Sequence, residues 1–514
     1  MLYSPLFLRA ALLGGHVVWA VAQAMAGDLS VHPLFGDGAV LQRDLPVKIW
    51  GSASPNSEVT LSFRAQTTKI KAEANGSWTA VLTPEPAGGP HSLQIKSDEE
   101  ALEIKDVYVG EVWFASGQSN MQYRVRYMKA EDRLTIAQPD GAFRILNLRQ
   151  RASDTPQAAT HVNDRWLTVD EASIRDFSAV GFFFGHELRT HLNVPIGVIA
   201  SSVGGTSIRS WLSTEGLTTL PAVKSKVDQA WEQTLSKFPT AQKSYEVTLA
   251  KWTGAKTIAE AAGQPFLEKP PRAPDGPNSH RRPYGLFNGM VAPVIPYTVR
   301  GVLWYQGESD AAEFSDIYGS LLVALMRDWR SRWGRPDMPF LFVQLPGYAD
   351  GKNWATFRQQ QTSALTEPAT GMAVTIDLGE ETNVHPRNKR PVGERLANLA
   401  LRNVYHLPVH VDGPKPVRVA REGTAVRLNF VCEKGARLVF KPETSPSGFE
   451  IRNASGVFLP ASVKMDGDTL VLSHPEIMAP AEIRYAWSAW PALSVFDSSQ
   501  LPVAPFLAPV EILP

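Results

Sequence analysis

The chain has 514 residues, is 44% hydrophobic and 20% charged, and carries 51 Lys+Arg against 51 Asp+Glu. A formal net charge of zero excludes the basic balance expected of a nucleic-acid or anionic-membrane binder, and the length allows roughly two to four domains. The one cysteine, Cys432, excludes an internal disulfide and reads as a buried, inert thiol.

Residues 1–26 read as a secretory signal. Arg9 supplies a positive start, Ala10 to Ala22 is apolar apart from His16, and Ala24-Met25-Ala26 fits a small-x-small cleavage site. Export without disulfides points to a bacterial periplasm or exterior. No later apolar stretch is long enough to span a bilayer, so no membrane association is expected after cleavage. Residues 27–105 read as a β-rich domain, with short runs such as Val47–Trp50, Glu58–Phe63 and Trp78–Leu82 between Gly, Pro, Asn and Ser turns.

From 106 to 405 strands alternate with helices. The apolar run Val107–Ala115 reads as a buried strand, followed by a helix over Ser178–Leu192 stopped at Asn193. Then come a strand at Ile196–Ala200, a strand at Val299–Trp304 and an amphipathic segment Ala312–Trp333 closed by Gly334. A strand at Phe340–Leu345, a helix near Trp354–Leu365, a strand at Met372–Ile376 and a helix after His385 complete the series. This order predicts an α/β domain with a parallel, doubly wound sheet whose site lies at the C-terminal strand ends. Residues 216–282 form a helical insertion with a Pro-rich tail, in which Trp231, Tyr245 and Trp252 read as packing residues. Residues 406–514 return to short strands and turns, a second β-rich domain.

Three polar clusters fall at three strand ends: Gly117-Gln118-Ser119-Asn120-Met121, Trp304-Tyr305-Gln306-Gly307-Glu308-Ser309 and Asn383-Val384-His385-Pro386. A serine held in a tight turn at a strand mouth is placed to act as a nucleophile, and His385 is the candidate base. The N–H groups of Ser119 and Gly205, with the side-chain amide of Gln306, make a three-donor oxyanion hole. Glu308 reads as orienting Gln306 or binding substrate hydroxyls, with Gln118 beside it. No ligand spacing for a metal and no phosphate or dinucleotide fingerprint stands out, so no cofactor is expected.

These stretches resemble the sialate O-acetylesterase branch of the SGNH (GDSL-like) hydrolases. The resemblance is carried by Phe114-Ala115-Ser116-Gly117-Gln118-Ser119-Asn120-Met121, Ser202-Val203-Gly204-Gly205-Thr206, the Trp304–Ser309 stretch, His385-Pro386-Arg387-Asn388-Lys389 and Pro283–Met290, with Gly448–Ile451 and Arg484–Trp487 further on. It implies a flavodoxin-like, three-layer α/β/α hydrolase domain and cofactor-free deacetylation of carbohydrates. By the same match Ser119 is the nucleophile, His385 the base, and Ser119, Gly205 and Gln306 the oxyanion donors. Relatives often place an Asp two or three residues before the His; here Thr382 and Asn383 stand there, which leaves Glu381 or Asp377 as the orienting acid, or a backbone carbonyl. The leading expectation is a secreted or periplasmic carbohydrate O-acetylesterase whose partner is an acetylated glycan. An acetylated plant polysaccharide such as xyloglucan or xylan is the alternative substrate. A non-catalytic carbohydrate-binding protein on a hydrolase scaffold and a lipase-like enzyme for long acyl chains are the other readings. A sialate substrate calls for a cation near the site, Arg358 or Arg209.

Overall fold

A computed structural model describes residues 28–98, 100–134 and 138–511; the expected signal segment lies outside the described residues. At its centre is a sheet of parallel strands. In spatial order these are Asp140–Asn147, Ile196–Ser202, Glu100–Gly117, Gly301–Tyr305, Phe340–Val343 and Thr370–Ala373, with Leu167–Val169 antiparallel at the edge. Without the two strands at the Asp140 side, the order is that of flavodoxin-like sheets, and the switch point falls between Glu100–Gly117 and its two neighbours.

The period-2 alternation of a strand explains the three layers. Trp113 meets Phe184 of the helix Ala179–Leu192 at 5.0 Å on one face, while its neighbour Phe114 meets Trp329 of the helix Tyr318–Trp333 at 5.7 Å on the other. The helix Arg390–Asn403 packs beside Ala179–Leu192, and Trp354–Ser363 packs beside Tyr318–Trp333. Both long helices end where the sequence signals it, at Asn193 and Gly334 in left-handed conformation.

The boundary expected near residue 105 falls inside one continuous strand. The first half of Glu100–Gly117 pairs with Gly88–Ser97 and Val40–Gln42 of the N-terminal part, and its second half enters the central sheet. Glu111, wholly buried, locks this junction by accepting from Gln42, Arg43 and Arg300. The insertion is dominated by one helix of 41 residues, Pro221–Ala261, with Pro239 inside it. Trp252 packs its ring on Phe266 and donates to the Glu268 carbonyl, tying the tail to the helix.

The C-terminal part holds two four-stranded antiparallel sheets over a core of its own, around Val426, Leu428, Phe449, Leu470 and Tyr485. Cys432 lies there, free and only partly buried rather than enclosed.

Candidate active site

The strand carrying Ser119 ends at Gly117. Its φ is +138°, and a Cβ there would stand 2.1 Å from the Tyr305 carbonyl oxygen, so only glycine permits the two strands to run this close. Gln118 N–H donates to that carbonyl at 3.0 Å, and the chain turns into one helical turn, Ser119–Gln122. Ser119 is half-buried. Its N–H opens the turn and so has no partner within it. The end of Ile196–Ser202 lies alongside: a Cβ on Gly204 would be 3.4 Å from that of Ser119. Gly204 N–H is taken by Gln122 Oε1 at 2.9 Å. Gly205 follows with φ +69°, and its N–H meets no protein acceptor among the described residues.

His385 comes from the loop after Thr370–Ala373, and its Nε2 lies 2.8 Å from Ser119 Oγ. Asn383 holds its backbone from both sides: Oδ1 accepts the His385 N–H at 3.1 Å, and Nδ2 donates to the His385 carbonyl at 2.8 Å and to Glu380 Oε2 at 3.1 Å. Burial pushes the His385 imidazole below its ordinary value, and the positive charge of Lys389 pushes it further down. A neutral imidazole bonded to a serine hydroxyl is an arrangement able to accept the hydroxyl proton as the oxygen attacks a carbonyl.

Several expected roles do not fit the positions found. Neither candidate acid reaches the imidazole: Asp377 is engaged in a two-pronged ion pair with Arg395, at 2.7 Å for each oxygen, and Glu381 is exposed, its backbone carbonyl accepting from Ala349. No carboxylate forms an ion pair with His385 among the described residues. Gln306 is not aimed at the site. It is fully buried, its Nε2 donates to Gln118 Oε1, the Thr206 carbonyl and Asp310 Oδ2, and its Oε1 accepts from Tyr318. Gln118 is likewise turned inward, where its Oε1 accepts from Gln306 and from the N–H groups of Gly307 and Ser309. These two amides stitch the strand ends together at the switch point; Gln306 is used up there, whereas the Gln118 Nε2 faces the Ser119 hydroxyl at 3.5 Å. Glu308 accepts from Asn120 through Oε1, does not bond Gln306, and leaves Oε2 without a partner among the described residues.

Arg358 cannot meet a substrate carboxylate. It is wholly buried and donates to four backbone carbonyls, those of Leu345, Pro346, Ser488 and Ala489, at 2.7–2.9 Å. Arg209 pairs with Glu313 and lies over the Phe314 ring.

Three side chains with no expected role do sit at the site. Asn120 and Lys389 are fully buried beneath Ser119 and bonded to each other. Arg281, at the end of the insertion's tail, donates through Nε to the Gly205 carbonyl at 2.7 Å. It borders a cleft of about 730 Å³ that opens beside Gly204 and is lined by Phe238, Gln242, Arg272, Asp275 and His280. Their polar positions lie in quoted motifs or in the tail, but sequence alone does not say which way they point.

Among the described residues, no group of three His, Cys, Asp or Glu side chains is placed to hold a metal ion, and no helix is long and apolar enough to cross a membrane. An open parallel sheet between helical layers, with its polar cluster at the switch point, places the central domain in the SGNH class of hydrolase folds. A family profile described as carbohydrate esterase, sialic acid-specific acetylesterase matches residues 109–251 and 282–402, together just over half of the chain. The sialate O-acetylesterases of Mus musculus and Homo sapiens are each 28% identical, over 90% and 96% of this chain and 91% and 94% of their own sequences. The crystal structure of a carbohydrate acetylesterase from Xanthomonas citri superposes with a TM-score of 0.77 at 32% identity, covering 93% of this chain and 99% of that one. The chain belongs to the sialic acid-specific acetylesterase family of carbohydrate esterases, and is a carboxylic ester hydrolase acting on acetylated carbohydrate.

Proposed function

We propose that the protein is an exported O-acetylesterase in which Ser119 is the nucleophile and His385 the base. The observation that carries this is the 2.8 Å contact between Ser119 Oγ and His385 Nε2 at the mouth of the sheet. As Oγ attacks the acetyl carbonyl, its proton passes to Nε2. The carbonyl oxygen takes the negative charge and is met by the N–H groups of Ser119 and Gly205. The imidazolium then gives its proton to the departing sugar hydroxyl, and water repeats the sequence on the acetyl-serine to release acetate. Each oxyanion donor of this kind is typically worth about 10²–10³ in kcat.

The glycan lies in the cleft between Gly204 and the insertion. Arg272 and Arg281 on its wall, which share Asp275 as partner, leave an excess of positive charge that favours an O-acetylated sialic acid, whose carboxylate needs a cation. A neutral plant polysaccharide is the second reading, supported by the resemblance to an acetylesterase described only as acting on carbohydrate. Export rests on residues 1–26, and the secreted protein is expected to begin near Gly27.

Replacing Ser119 with alanine should lower acetate release from 4-nitrophenyl acetate by about a thousandfold or more while the circular dichroism spectrum stays unchanged. Retention of a tenth of the rate would overturn the assignment. Arg281→Ala should reduce turnover of O-acetylated sialic acid more than that of acetylated xyloglucan oligosaccharides; equal losses on both would remove the preference for an anionic sugar.

A further inference from the structure

The His385 loop has no orienting carboxylate, yet its imidazole meets Ser119 in hydrogen-bonding geometry, and the residues behind the pair supply a reason. Asn120 is adjacent to Ser119 in the chain, and Val384 is adjacent to His385. The Asn120 Nδ2 donates to the Val384 carbonyl at 2.9 Å and to Glu308 Oε1, while its Oδ1 accepts from Lys389 Nζ. One side-chain amide thus spans from the serine turn to the histidine loop.

We propose that Lys389 is a positioning residue of the esterase reaction: by holding Asn120 in a single orientation it fixes Ser119 and His385 at reacting distance. This rests on the reading of those two residues as nucleophile and base. A lysine ammonium can only donate, so it demands the oxygen of the amide. The Val384 carbonyl can only accept, so it demands the nitrogen. Lys389 is the one partner that grips the amide oxygen; without it the amide is held only from its nitrogen side, by Val384 and Glu308, and its oxygen is left buried and unbonded.

The setting is costly for a merely structural lysine. Lys389 is wholly buried, with its Nζ 5.1 Å from the centre of the Tyr123 ring and 5.5 Å from that of Tyr305. The ionisable groups facing it are those two tyrosines, Glu308, Glu380 and His385. Burial pulls its ammonium down to about 7, against the opposing pull of Glu308 and Glu380. Below pH 6.5, where His385 titrates, Lys389 still carries most of its charge and resists a second charge on the imidazole.

The test uses the full-length protein with 4-nitrophenyl acetate. Lys389→Met should lower kcat by about a hundredfold, leave KM within about threefold, and move the acid limb of the kcat/KM profile to higher pH. Asn120→Asp, which keeps an oxygen for Lys389 and loses the donor to Val384, should lower kcat comparably, and the double variant should lose no more than the worse single one, because both act through one amide. If Lys389→Met does not fold, Asn120→Asp carries the kcat and KM arms of the test by itself. An unmoved acid limb with activity falling only in proportion to the fraction labelled by a serine-reactive fluorophosphonate would show a structural role and overturn the proposal, as would additive losses in the double variant. Full loss in Ser119→Ala beside unchanged kcat in Lys389→Met would overturn the role of Lys389 while leaving the nucleophile in place.

Discussion

At the scale of single residues, the protonation of His385 sets the first expectation. A base must be neutral to accept the serine proton, and burial together with Lys389 holds this imidazole below 6.5. If His385 is the base, its own contribution is full above that lowered value and is lost as pH falls through it. A kcat/KM profile with its acid midpoint below 6.5 is expected; a midpoint above 7 would contradict the environment described. Arg358 gives a second. Two of its four carbonyl bonds go to Leu345 and Pro346 and two to residues 488 and 489, so it ties the central domain to the C-terminal part. Hydrogen bonds to a charged group contribute about 1.5–3 kcal/mol each, so Arg358→Ala should cost several kcal/mol in denaturant unfolding without changing the preference between sialic acid and xyloglucan esters. That Ser119 and His385 share one place is legible in the sequence, because both follow strand ends of one parallel sheet. The inward turn of Gln306 and Arg358 is not visible in the sequence, because the direction of a side chain depends on which neighbours claim its hydrogen bonds, and those neighbours come from other elements. Lys389 follows exposed Arg387 and Asn388, and nothing in that run of polar residues marks one of them as buried.

At the scale of elements, caps and periodicity carried most of the layout. Ser178 caps its helix by accepting from Gly181 N–H, and Gly334 closes Tyr318–Trp333. The strand expected at Met372–Ile376 is Thr370–Ala373, and Ile376–Leu378 forms a short 3₁₀ turn instead; between them Thr375 donates its hydroxyl to the Gln344 carbonyl. Proline disfavours a helix interior, yet Pro221–Ala261 continues through Pro239, with Val227 its one buried residue among those described. Its function is tested through the tail that closes the cleft. A Cβ on Gly276 would stand 2.2 Å from the Phe238 ring, so Gly276→Ala must push the tail off the helix. Turnover of acetylated glycans should then fall by about tenfold or more, while 4-nitrophenyl acetate, which has no sugar to place in that cleft, changes little.

At the scale of the whole molecule, Glu111 is the joint between the N-terminal part and the catalytic sheet. Burial pushes its carboxyl up, but Arg300, Arg43 and Gln42 outweigh this and hold it below 4.5. The stability it confers is present above the unfolded value and is lost as pH falls through the lowered one. Glu111→Gln leaves Arg300 and Arg43 without their partner and should cost about 3–5 kcal/mol at pH 7. It should also flatten the decline in melting temperature on acidification below pH 4.5; an unchanged melting temperature at pH 7 would refute this account of the joint.

The strand Glu100–Gly117 that passes through this joint also has a history during synthesis. Its first half pairs at once with Gly88–Ser97, the strand made just before it. Its second half gains one neighbour with Ile196–Ser202, but its other edge waits for Gly301–Tyr305, which leaves the ribosome roughly 180 residues later, on the order of ten to forty seconds at about 5–20 residues per second. Throughout that interval the segment leading to Ser119 is registered at one end and carries an open edge at the other. The hairpin made first therefore acts as the anchor from which the later sheet is aligned, and a weakening of the Gly88–Ser97 pairing would show itself as aggregation of the nascent chain before any change in the finished enzyme.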